Sequence, residues 1–102
     1  GGSAATLGVL SAWSLLHVRL TQQGLPCKLV VQRGAMEYEA PMSGNFTATA
    51  ALADSADWDH FVATFQAHGK AGIRVQVTLR SGVRRAGLYS GEFVALREPA
   101  GG

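Results

Sequence analysis

One cysteine, Cys27, leaves no partner for an intrachain disulfide, so nothing in this sequence is built on oxidative cross-links. No targeting segment is recognisable either, and the expected compartment is the cytoplasm. Charge is scarce. Only 16% of the 102 residues are Asp, Glu, Lys or Arg, and the formal net charge is +2. With no basic run interleaved with aromatics, that balance argues against a nucleic-acid partner. No cluster of His, Cys and carboxylates has the spacing of a metal site, so no metal is expected. Internal repeats and low-complexity tracts are also missing. Apolar residues fill the chain instead, at 47%, enough for one core in a single domain over residues 1–98, with a frayed tail at 99–102. A surface so poor in charge favours self-association, and a homodimer or higher homo-oligomer is expected.

The chain is organised around its first twenty residues. After Gly1-Gly2-Ser3, apolar side chains fall on every side of a helical wheel: Leu7, Val9, Leu10, Trp13, Leu15, Leu16, Val18 and Leu20. A helix apolar all round needs cover all round. Ser3 reads as its N-cap, and Gly24 and Pro26 end it. Ser3, Ser11, Ser14, His17 and Arg19 interrupt the run and no basic segment precedes it, which argues against a signal peptide or a membrane span.

Strand patterns follow. Lys28 to Glu39 is extended in character, with Gly34 marking a bulge or a close backbone contact. Ala40 to Asn45 has turn composition, and Phe46 to Leu52 alternates. The period then changes. Asp54 or Ser55 caps a short amphipathic helix carrying Trp58, Phe61, Val62 and Phe65, with His68 and Gly69 at its exit. Ile73, Val75, Val77 and Leu79 alternate with Arg74, Gln76, Thr78 and Arg80, and Ser81-Gly82 turns the chain into a last strand, Arg85 to Arg97. The whole is an α+β domain.

Taken together, several segments resemble one family. They are Gly1-Gly2-Ser3, Leu7 through Trp13, Ser14-Leu15-Leu16, Val30-Val31-Gln32, Met36-Glu37-Tyr38, Pro41, Gly44 and Gly91 to Leu96. In that order they resemble the hotdog-fold thioesterase domain found at the C-terminus of some bacterial acetyltransferases and as a free-standing protein. The resemblance implies a central buried helix wrapped by a curved antiparallel sheet. The family's strand before that helix is missing from this sequence. It also implies an acyl-CoA or acyl-carrier-protein thioester as substrate, no separate cofactor, and a dimer with sites at the subunit boundary.

Under that resemblance the backbone N–H groups of Gly2 and Ser3 act as oxyanion donors at the helix tip, where free N–H groups and the helix dipole favour negative charge. Gly1, Arg84 and Arg85 are the expected substrate-binding residues, the arginines through the phosphates of coenzyme A. Many hotdog thioesterases carry Asp or Glu early in this helix, but Leu7 to Leu10 occupy that turn here. His17 lies roughly 20 Å from Gly2 along a helix, too far to serve the same carbon. Glu37 and Glu39 share a strand face and could form a carboxylate pair, or be ordinary solvated charges. Cys27 reads as an inert thiol. Two alternatives remain open: a non-catalytic acyl-binding or regulatory domain of the same fold, and a self-assembling structural protein of phage-tail type. The second expects residues 1–20 to be a strand or a mobile arm.

Overall fold

The computed structural model describes residues 2–40, 45–52 and 54–98. Among them the order is α1 (Gly2–Gln22), β1 (Cys27–Tyr38), β2 (Phe46–Leu52), α2 (Ser55–His68), β3 (Lys70–Ser81) and β4 (Arg84–Arg97). The strands form one open, curved, antiparallel sheet in the order β1-β4-β3-β2. Gly1, most of the turn expected at 40–45, and the tail at 99–102 lie outside the described residues. The first stretch is a helix packed into the core, so neither the strand nor the mobile arm that the phage-tail reading expects is there.

Local chemistry explains the element ends. Asp54 caps α2, its Oδ1 accepting from the Ala56 N–H at 2.9 Å. Gly69 closes α2 in the left-handed region at φ 74°, donating its N–H to Phe65 O at 2.7 Å. Arg97 from β4 donates to the Gln66 carbonyl at 3.0 Å, placing a cation where the helix dipole is negative. Gly24 ends α1 in the same left-handed way: its N–H donates to Thr21 O and the Leu25 N–H to Leu20 O, each at 3.0 Å. Ser3 is not the N-cap that the sequence suggests. The helix already includes Gly2, which puts Ser3 inside the first turn and past the cap position.

The strict alternation in β3 buries Ala71, Ile73, Val75, Val77 and Leu79 on one sheet face and leaves Arg74 and Gln76 in solvent. Phe93 and Tyr89 of β4 continue that inner face, and Phe61 and Phe65 of α2 close one end of it. Both helices pack on this layer, and Arg19 of α1 sits over the Trp58 ring of α2 at 5.3 Å. The register of β1 against β4 slips between Val31 and Arg33, two residues before Gly34. Gly34 itself lies opposite Gly91 and is a point of close approach.

The expectation that α1 is covered on every side does not hold for the single chain. Ala4, Gly8, Ala12, Leu16 and Leu20, one every fourth residue, are buried, while Leu10 is 56% and Val18 51% exposed. An open sheet four strands wide covers one face of a cylinder. Apolarity all round says that the helix needs cover, not which surface supplies it.

Candidate functional site

Two contacts fix the direction of α1 across the sheet. Gly8 lies directly on Tyr89 of β4, where a Cβ would come within 2.7 Å of the tyrosine Cγ. Leu20 and Thr21 share a groove with Cys27, whose partner in the ladder is Arg97. The helix therefore starts toward the β3–β4 hairpin and ends over the first residues of β1. Stepping back from Gly8 to Gly2 covers about 9 Å, or two to three strand residues, which puts the helix tip near the level of Ala86 and Gly87. At this same end β1 finishes at Tyr38 and β2 begins opposite Ser81.

The first turn of α1 carries no acidic side chain. Its leading N–H groups, including those of Gly2 and Ser3, have no acceptor within the helix. Arg84 and Arg85 open β4 at the hairpin, so the fold brings both arginines to the end of the sheet where the helix starts. Arg85 is already engaged. It grips Glu39 with two hydrogen bonds of 2.6 and 2.7 Å, and that bond and the carboxylate charge hold its guanidinium pKa above the ordinary value. Arg84 is exposed. Glu39 lies just past β1, so the sequence-level pairing of Glu37 with Glu39 gives way to the Arg85–Glu39 pair. Glu37 is exposed opposite Leu88. Gly1 falls outside the described residues.

The far end of α1 holds what the sequence missed. Two adjoining grooves, of about 350 and 700 Å³, share Trp13, His17, Cys27, Leu29 and Glu98. The Trp13 and His17 rings stack with centroids 4.6 Å apart, as their i, i+4 spacing allows. The tertiary fold therefore brings Cys27, an isolated thiol in the sequence, and His17 to one groove. Burial pushes the Cys27 thiol pKa up, and the Glu98 charge pushes it further, so the nucleophilic thiolate is disfavoured at neutral pH. Iodoacetamide should alkylate Cys27 several-fold more slowly than free cysteine at pH 7, and Cys27→Ser should leave any thioester turnover unchanged. His60 and His68 are exposed on α2. Among the described residues no group of His, Cys, Asp and Glu could hold a metal ion, and no helix is long and apolar enough to cross a membrane.

The family model described as "Putative thioesterase (yiiD_Cterm)" matches residues 1–97, and the chain belongs to that family. Among solved structures, a protein of unknown function from Chlorobaculum tepidum is similar over 96% of this chain, with a TM-score of 0.87 and 22% identity. A putative thioesterase from Shewanella oneidensis is similar over 94%, with a TM-score of 0.81 and 18% identity. This chain spans 66% and 64% of those two chains, so about a third of each lies outside the match. Among curated proteins nothing matches.

Proposed function

We propose that the protein hydrolyses an acyl thioester of coenzyme A or of an acyl carrier protein, on a hotdog-type fold, with the thioester carbonyl held at the tip of α1. Family membership supports the reaction class. The observation that carries the site is the first turn of α1, which contains no carboxylate to neutralise its N–H groups and lies at the arginine-bearing end of the sheet. Water adds to the carbonyl carbon, negative charge builds on its oxygen, and the carbon–sulfur bond then breaks to release acid and thiol. N–H groups already aimed at that oxygen need no reorganisation as the charge develops. Arg84 supplies positive charge for the phosphates of the carrier, whereas the charge of Arg85, the other arginine expected there, is neutralised by Glu39.

The exposed apolar residues of α1 and β1, Leu10, Trp13, Val18, Val30 and Val31, fit a homodimer, because a second copy would cover the half of α1 that the sheet leaves open. A second reading is a domain of this fold that binds acyl groups without turning them over. It is favoured by the same first turn: a carboxylate that would activate water is absent there, and Glu39 is committed to Arg85.

Incubation with a panel of acyl-CoAs, with thiol release followed by a chromogenic disulfide, separates the readings. Steady turnover is the expected result. Acyl-CoA binding in calorimetry without thiol release would select the binding domain, and neither signal would remove both.

A further inference from the structure

Tyr89 carries a buried side-chain polar atom that no other described residue partners: its hydroxyl is shielded from solvent and makes no hydrogen bond. The residue is 3% exposed. Burial also raises its pKa, so it stays a protonated donor at neutral pH. Three glycines on three elements make room for it. A Cβ on Gly8 of α1 would lie 2.7 Å from the ring at Cγ, one on Gly34 of β1 would lie 2.6 Å from the hydroxyl, and one on Gly91 of β4 would lie 2.8 Å from it. Packing does not account for the oxygen. Phenylalanine would fill the same space and leave no buried donor unpaired. The hydroxyl is covered toward the sheet edge by backbone alone. On the β1 side it meets Gly34, an exposed residue without a side chain, in the strand at the edge of the sheet.

We propose that the Tyr89 hydroxyl is a specificity determinant that donates a hydrogen bond to an oxygen on the acyl chain of the bound thioester, so that the preferred substrate is a hydroxy- or oxo-acyl thioester. The inference rests on the thioesterase reading above, and distance decides which oxygen is meant. Gly8 is about 9 Å along α1 from Gly2. The hydroxyl sits beside Gly91, two residues further along β4 from Tyr89, or roughly 7 Å more. A carbonyl held at the helix tip is beyond its reach, whereas a substituent well down the chain is not. A site built to bond a substrate oxygen discriminates against the plain chain because its buried donor is then left unpaired.

The test compares kcat/KM of the wild-type protein and Tyr89→Phe on acyl-CoAs of equal length, plain or hydroxylated at successive carbons, with thermal midpoints measured alongside. The wild-type protein should favour one hydroxylated position by about tenfold, the size of a single hydrogen bond to substrate. Tyr89→Phe should lose that preference by slowing on the hydroxylated substrate alone, with no fall in its midpoint. Equal preference in the two proteins overturns the proposal. So does a lower midpoint with both substrates slowed alike, which would mean that the hydroxyl serves a buried water. If the wild-type protein turns over no thioester, the thioesterase reading fails on its own. Non-hydrolysable thioether analogues with ring-labelled tyrosine then decide the hydroxyl by NMR: a Tyr89 shift with the hydroxylated analogue only sustains it, and no shift overturns it.

Discussion

Ser3→Pro is expected to lower kcat for thioester hydrolysis by about a hundredfold, with KM little changed. Residue 3 lies in the first turn of α1, where N–H groups have no partner within the helix. Proline removes one of them while its fixed φ suits the start of a helix, so the fold is retained. The loss should therefore fall on the charged transition state and not on ground-state binding. Ser3→Ala keeps the N–H and should keep the wild-type rate. A Ser3→Pro protein with an unchanged thermal midpoint and full activity would mean that the oxyanion is held elsewhere.

Gly8→Leu is expected to cost about 3 kcal/mol of folding stability, against a total on the order of 5–15 kcal/mol for a domain of this size. Helix propensity alone predicts the opposite sign, because leucine is the better helix former by close to 1 kcal/mol. The contact decides. A Cβ at residue 8 would lie 2.7 Å from Cγ and 2.8 Å from Cβ of Tyr89, atoms tied closely to the β4 backbone that cannot swing aside. The helix would have to lift off the sheet along its buried stripe, weakening the packing of Ala12 and Leu16, both fully buried. A fall in thermal midpoint of roughly 12 °C or more follows. Urea unfolding would measure it directly, and a more stable Gly8→Leu protein would refute the close packing of α1 on β4.

Much of the fold is legible in the residues, because short-range physics fixes it. Asp54, the Trp58, Phe61, Val62 and Phe65 spacing, and Gly69 specify α2 by a cap, a face and a left-handed exit, and the observed helix uses that cap and that exit. The alternation of Ile73 to Leu79 and the Ser81-Gly82 turn specify a hairpin that forms as expected. The candidate site was less legible. That Arg84 and Arg85 sit at the end of the sheet where α1 starts depends on the direction in which a helix crosses four strands. Nor does any local pattern show that Glu39, 46 residues away, already holds Arg85.

The sequence by itself determined which segments are helix and which are strand, where α2 is capped and where it exits, and which strand faces are greasy. These follow from backbone preferences and from periods of 3.6 and 2 residues, properties that neighbours along the chain share. Only the tertiary structure decided that α1 buries one stripe and leaves the other open, that His17 and Cys27 line one groove, and that Gly8, Gly34 and Gly91 close around a single phenol. Those outcomes depend on which surfaces meet across long stretches of chain, and volume exclusion between distant atoms leaves no periodic trace in the order of residues.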